Sequence, residues 1–369
     1  MNRSLRFLGL ALLASLSAAA QKPQTLFVGT YTRTPGRAGI FVYRFDGATQ
    51  EATLLDTMIA VNPSYLAPSA DGRFLYAVSE QGKGKGAVGA YRVRKGQLTL
   101  INQVSSEGDD PCYVTTDRKG KNVIVGNYSG GTMALFPVAP DGGLAPAEQV
   151  FQYAGSGPNT QRQGAPHVHS TVLSPGEDYL LVADLGTDSV KTYRFAPGKH
   201  RLTETKKSIR LSAGSGPRHI VFHPKKDWVY ILQELSGTVT AATFNGGKLA
   251  PLQEISLLPA GSSSAPHSAD IHVSPDGAFL YASNRAPTNH IAIFRIDEKT
   301  GTLTLAGTQP TGGAVPRNFT LDPSGNWLLA ANQDSDRITI FKVDKATGLL
   351  TDTGKSISVP GPVCLKWGN

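Results

Sequence analysis

The chain reads as an all-β protein, a seven-bladed β-propeller with four antiparallel strands in each blade, and three observations predict it. One segment type recurs at a period of about 50 residues, no helical periodicity separates the copies, and the last copy is truncated where the first lacks a strand. Each copy starts at an anchor, runs through a short apolar stretch into a turn of the Ser-Pro-Asp-Gly kind, and continues as an aromatic-apolar strand. The anchors are Pro63, Pro111, Val168, Pro217, Ser268, Pro316 and Pro362. After the aromatic-apolar strand (Phe74 to Val78 in the first copy) comes an alternating third strand such as Ile291 to Ile296. A Gly-x-Leu turn then leads to a fourth.

The chain ends close the ring. Residues 25 to 61 supply only a second strand (Leu26 to Thr30), a third (Ile40 to Phe45) and a fourth (Leu54 to Val61). Pro362 to Trp367 supplies the missing first strand, which leaves no open edge. A length of 369 residues would otherwise suggest two or three domains, but the repeats make residues 21–369 one closed unit. The 40 glycines and 24 prolines suit a turn-rich fold and are too few for collagen or low-complexity disorder.

The first twenty residues stand apart. Arg3 and Arg6 form a basic start, Phe7 to Leu16 an apolar stretch, and Ala18-Ala19-Ala20 a small-residue cleavage site. Residues 1–20 are therefore expected to be an export signal cleaved after Ala20, placing the mature protein in the periplasm or outside the cell. The formal charge of +8 then falls to +6 with the loss of Arg3 and Arg6. That charge is spread thinly, with one short cluster at Lys83 and Lys85, so anionic small ligands fit better than nucleic acid. No further long apolar run follows, so no membrane span is expected after the signal, and the chain is expected to be a monomer. Cys112 and Cys364 fall on first strands separated by an intervening blade, too far apart to bridge, and are expected to be free thiols.

Positions that packing dictates recur from blade to blade. Eleven residues after the anchors stand Phe74, Asn122, Tyr179, Trp228, Phe279 and Trp327, an almost wholly aromatic set that reads as blade-to-blade packing. Positions that packing does not dictate diverge. One residue after the anchors come Ser64, Cys112, His169, Arg218, Ala269, Arg317 and Val363. Two residues after come Tyr65, Tyr113, Ser170, His219 and Asp270. Seventeen after come Glu80, Tyr128, Leu185, Glu234, Arg285 and Gln333, with Tyr31 in the split blade. In an antiparallel blade the start of the first strand and the end of the second share one face, so these offsets converge on one mouth of the central channel.

An imidazole, three guanidiniums and several carboxylates on one rim make a candidate site, although Arg218 with Glu234 could also be a structural ion pair. His219 and His223 are expected to make strand and turn hydrogen bonds. His167 and His169 share one strand face, but no third ligand at a recognisable spacing supports a metal site.

Four segments carry a resemblance: Gly216-Pro-Arg-His-Ile-Val-Phe-His-Pro224, Glu234-Leu-Ser-Gly-Thr-Val239, Ala269-Asp-Ile-His-Val-Ser-Pro-Asp-Gly277 and Val315-Pro-Arg-Asn-Phe319. From about Thr25 to the end, the chain resembles the propeller-type 6-phosphogluconolactonases, a family that also includes the fungal-type carboxymuconate lactonising enzyme. The resemblance implies hydrolysis of a sugar lactone, phosphorylated or not, to its aldonic acid, with a catalytic set at His169, Arg218, Glu234 and Arg285. It places Asp270, Arg317 and Gln333 near the same pocket, where Glu80 joins them as a substrate-binding residue, and it implies no cofactor or metal.

On this reading His169 or Glu234 is the general base. Arg218 and Arg285 stabilise the oxyanion or clamp an anion, Asp270 and Gln333 bind hydroxyls, and Arg317 completes the anion site. Two features depart from the family's cytosolic enzymes: the export signal, and a Gly/Ser/Pro/Gln loop from Ala154 to Ala165 just before His169. Lactone-forming cyclisation of a muconate and non-catalytic binding of carbohydrate or protein are the competing readings.

Overall fold

The computed structural model describes residues 23–34, 36–258 and 266–368. Seven antiparallel sheets follow one another along the chain, and their first strands contact in sequence to form a closed inner ring. Blade 1 is the split one: Pro362–Trp367 pairs with Gln24–Thr30, with Leu26 opposite Trp367 and Val28 opposite Leu365. The expected closure is therefore what the chain forms. Blades 2 to 7 begin at Leu66–Pro68, Pro111–Thr116, Val168–Leu173, Pro217–Phe222, Ser268–Val273 and Pro316–Leu321. Blade 4 carries one addition, the short strand Ile209–Arg210, which pairs with Ser189 and Val190 on its third strand. The export signal read over residues 1–20 lies outside the described residues. None of the described helices is long and apolar enough to cross a membrane.

The second strands are buried along almost their whole length, as in Phe74–Ser79, Asn122–Asn127 and Phe279–Asn284, because each blade is covered on both faces. Outer strands such as Glu51–Ile59 alternate toward solvent. The aromatic positions pack as predicted, and the structure shows on what. Tyr179, Trp228 and Phe279 lie against Gly247, Gly301 and Gly348, each in the outer hairpin of the next blade. Tyr230 and Tyr281 reinforce two of these contacts by donating to the Gly301 and Gly348 carbonyls. Where the aromatic is replaced by Asn122, its amide donates to the Pro197 carbonyl and its oxygen meets His200 Nδ1 at 2.8 Å, so the same seam is closed by polar contacts.

Two further repeats hold the blades. Six residues after the anchors, Ser69, Asp117, Ser174, Ser274 and Asp322 each accept from the first backbone N–H of the following strand. His223 occupies the same offset and accepts from the Lys225 N–H, with its Nε2 3.0 Å from the Gly277 carbonyl, a turn role as expected. Sixteen residues after the anchors, Asn127, Asp184, Gln233, Asn284 and Asn332 bond a threonine of the turn or third strand. Both cysteines are buried and free.

Gly301 has φ of +75° and faces the Trp228 ring, whereas Gly354, at φ +74°, faces open space. Gly354→Ala should cost only the left-handed backbone strain, ~1–2 kcal/mol. Gly301→Ala should cost more, because its methyl group also meets the indole, adding about 1–3 kcal/mol of overpacking. Chemical denaturation of the two variants measures the difference.

Candidate active site

A backbone irregularity sets up the site. In the innermost strands of blades 3, 4, 5 and 7 the pairing register skips the residue after the anchor, as between Pro217 and His219 in blade 5. Blade 6 skips one step between Ser268 and Ile271, and blade 1 does so at Thr30 opposite Pro362. Cys112, His169, Arg218 and Arg317 are thus bulge residues, released from the ladder at the channel mouth. Bulges commonly re-aim side chains in this way beside functional sites.

Glu234 is the centre. It follows the second strand of blade 5, and its side chain is only 4% exposed. Oε2 accepts from Arg218 Nε at 2.9 Å, while Oε1 accepts from Arg162 Nη2 at 2.6 Å and lies 3.1 Å from Arg285 Nη2. Burial pushes this carboxyl up, but Arg285 and Arg218 outweigh burial and hold it well below its ordinary range. Both oxygens and the charge are thus engaged by guanidiniums. The structural ion pair between Arg218 and Glu234 exists, and it lies at the centre of the candidate site.

Arg285 donates to the His267 carbonyl through Nε at 3.1 Å, and burial pulls its guanidinium down to about 10 despite Glu234. Arg218 is fully buried; its Nη1 donates to the Ala269 carbonyl and lies 3.2 Å from His219 Nε2. His169 is buried beside them. Its Nδ1 lies 3.7 Å from Cys112 Sγ, and its ring meets Tyr128 and His219 edge-on at 5.4 Å. Among the described residues its Nε2 has no hydrogen-bond partner. Burial pulls the imidazole well below its ordinary value, with Arg218 and His219 adding to the effect, so it is neutral near pH 7.

Other expected residues take different places. Asp270 does not present its carboxylate to a substrate. Oδ1 takes His219 Nδ1 at 2.7 Å and the Ile271 N–H at 3.0 Å, while Oδ2 takes His272 Nε2 at 2.9 Å, Asn318 Nδ2 and the Phe319 N–H. Five protein donors saturate it, so hydroxyl binding by Asp270 is corrected to an internal role. His219, expected to serve only the strand, belongs instead to this channel cluster. Tyr65 and Tyr113, stacked at 4.1 Å, both meet the His219 ring edge-on.

Gln333 turns its amide to Asp334 at 3.0 Å and does not touch the Glu234 cluster. Glu80 bonds the Tyr31 hydroxyl at 2.8 Å and Ser64, bracing blades 1 and 2 on the same mouth. Arg317 forms no ion pair among the described residues; its guanidinium lies 5.1 Å over the Tyr31 ring, free for an anion. His167 stacks on Tyr128 with Nδ1 3.0 Å from the Tyr128 carbonyl. Among the described residues no three His, Cys, Asp or Glu side chains group to hold a metal ion. An open cavity of about 410 Å3 lies by Arg33, Arg37 and Phe41; of the rim positions only Tyr31 lines it, and His169, Arg218, Glu234 and Arg285 do not.

Arg162 escaped the repeat comparison because it lies in the inserted loop, outside every offset. Gln163, itself fully buried, pins that loop by donating to the Leu185 carbonyl at 2.9 Å and to Asp188 at 2.7 Å. The neighbouring Arg162 is thereby held over Glu234. It is the one charged residue between Ala154 and Ala165, and this was the signal available in the sequence.

The ring of seven blades that carries this cluster matches one family along nearly the whole chain. The model of the seven-bladed β-propeller lactonases matches residues 25–367, and the chain belongs to that family. It is 36% identical over 348 residues to the 6-phosphogluconolactonase of Bacillus subtilis, covering 92% of this chain and 97% of that one. Among solved structures it is similar to the periplasmic gluconolactonase of Pseudomonas aeruginosa, with a TM-score of 0.88 and 36% identity over 94% of this chain and 99% of that one. A candidate 6-phosphogluconolactonase of Bacteroides fragilis gives a TM-score of 0.90 at 42% identity, covering 95% of this chain and 99% of its own.

Glu234→Gln should leave Arg218 and Arg285 uncompensated in a buried site and destabilise the fold by about 3–5 kcal/mol. Because the folded carboxyl lies below its ordinary value of 4.5, its contribution is complete above that pH and is lost as pH falls through the folded value. The gap between wild type and variant in denaturant titrations should therefore be widest near neutrality and shrink in acid.

Proposed function

We propose that this lactonase hydrolyses a gluconolactone-type sugar lactone to its aldonic acid, with His169 as the general base. The observation that carries the assignment is the contrast between the two candidates. Glu234 is ionised and held by three arginines that lower its basicity, whereas His169 is neutral with Nε2 unengaged. In the proposed reaction His169 Nε2 takes a proton from water, and the hydroxide adds to the lactone carbonyl. Arg218 and Arg285 hold the oxyanion that forms, in a buried setting where fixed donors act strongly. Collapse breaks the bond from the carbonyl carbon to the ring oxygen. The imidazolium returns its proton to that oxygen, giving the open-chain hydroxy acid.

Four guanidiniums (Arg162, Arg218, Arg285 and Arg317) stand with three carboxylates (Glu234, Glu80 and the internally bonded Asp270) at this mouth. The excess of positive charge suits both the oxyanion and the aldonate product. Export is part of the proposed function: the basic start, apolar stretch and Ala18-Ala19-Ala20 of the sequence support a reaction in the periplasm or outside the cell, where phosphorylated sugars are scarce. Similarity to a periplasmic gluconolactonase supports the unphosphorylated lactone.

The test is acid release from fresh gluconolactone and 6-phosphogluconolactone by mature protein, measured against the spontaneous rate. Gluconolactone should be the better substrate, and His169→Ala should lower kcat by ~10²-fold or more while the fold persists. Full turnover in His169→Ala would remove the base assignment, and no acceleration on either lactone would remove the activity.

A pH series checks the same base. The imidazole must be neutral to act, and its folded value lies below 6.5, so the acid limb of kcat/KM should fall below pH 6.5.

A further inference from the structure

Arg218 is held by three protein acceptors, and one of them is an unusual choice. Its Nε goes to Glu234 and its Nη1 to the Ala269 carbonyl and His219 Nε2, while its Nη2 has no partner among the described residues. An imidazole accepts a guanidinium hydrogen only through an unprotonated nitrogen. Here the proton must therefore sit on Nδ1, and Nδ1 lies 2.7 Å from Asp270 Oδ1. An ionised carboxylate can only accept, so Asp270 enforces this tautomer. Burial and Arg218 pull His219 down to about 4, which keeps the ring neutral. Asp270 is itself fixed from blade 7 by Asn318, whose oxygen accepts from the Leu365 N–H of blade 1 at 2.7 Å. The chain of bonds thus runs from the backbone of blade 1 to the guanidinium in blade 5.

The geometry points to Asp270 and His219 as a positioning pair for Arg218, locking its guanidinium so that the Nη2 edge faces the carbonyl being hydrolysed. The inference rests on the lactonase reading above, in which Arg218 meets the oxyanion. Neither residue touches the substrate. The pair does for an arginine what an Asp–His couple more familiarly does for a nucleophile: it selects a tautomer and through it an orientation. A guanidinium free to rotate would have to be ordered during each turnover, whereas a clamped one is ordered in advance. Asp270→Asn retains the shape but can present an amide N–H to His219 Nδ1. That moves the proton to Nε2, where it opposes the Arg218 N–H.

The experiment is a kinetic cycle on gluconolactone with His219→Leu, His219→Gln, Asp270→Asn, Arg218→Ala and the double variant His219→Leu/Arg218→Ala, each also melted thermally. His219→Leu should lower kcat by ~10–100-fold, the scale of a small misplacement, with KM changed far less. His219→Gln, whose amide oxygen can accept from Arg218, should recover most of the rate. The double variant should be no slower than Arg218→Ala alone, because a positioning residue has nothing to position once its arginine is gone.

Full kcat in His219→Leu, or a loss that persists undiminished in the Arg218→Ala background, would overturn the inference. Should His219→Leu fail to fold, Asp270→Asn decides: reduced kcat with normal melting supports the pair, and wild-type kcat refutes it. Wild-type turnover in Arg218→Ala would instead strike the oxyanion role of Arg218, a separate failure.

Discussion

Burying the Glu234 carboxylate costs several kcal/mol of hydration, and the protein recovers that cost with three guanidiniums drawn from three parts of the chain. Arg218 comes from the same blade, Arg285 from the next, and Arg162 from the loop that joins blades 3 and 4. Removing the carboxylate would leave like charges facing one another in a largely buried site. The pairing therefore fixes more than one ion pair: it orients two cations toward a common point and straps the loop down. It also lowers the basicity of Glu234, and the proposed reaction accordingly assigns the proton transfer to His169.

The frame that presents these groups is itself plain. Aromatic rings and glycines lock neighbouring blades, polar caps end each inner hairpin, and the chain ends share a blade so that the ring has no open edge. With stability supplied by these repeated devices, the bulge residue after the anchor is not needed for pairing. In blades 3, 4, 5 and 7 that position carries Cys112, His169, Arg218 or Arg317 at the mouth. Divergence between blades is concentrated there for a physical reason: the ladder makes no demand on a residue it does not pair.

Much of this was legible in the sequence because the repeat provides internal controls. Comparing seven copies separated Phe74 and Trp228, which packing explains, from His169, Arg218, Glu234 and Arg285, which it does not. Side-chain partners were less legible. Asp270 has the composition of a sugar-binding residue, and only the positions of His219, His272 and Asn318 reveal that its oxygens are spent. His219 seemed an ordinary strand residue because Asp270 lies on the next blade and its ring neighbours Tyr65, Tyr113 and His169 on three others, beyond any local pattern. Arg162 was hidden because an insertion has no counterpart to be compared with. The choice between His169 and Glu234 turned on how many donors surround each one, which spacing alone does not convey.

The central claim is spatial: an oxyanion site formed by Arg218 and Arg285, with His169 poised beside it. A crystal structure of the mature protein with the aldonate product tests it most directly. The account predicts the product carboxylate bridging Arg218 and Arg285, with His169 Nε2 within hydrogen-bond reach of the carboxylate or of the hydroxyl released from the ring. Gluconate held by Arg317 alone, or seated at the opposite mouth with His169 and Arg218 untouched, would contradict it.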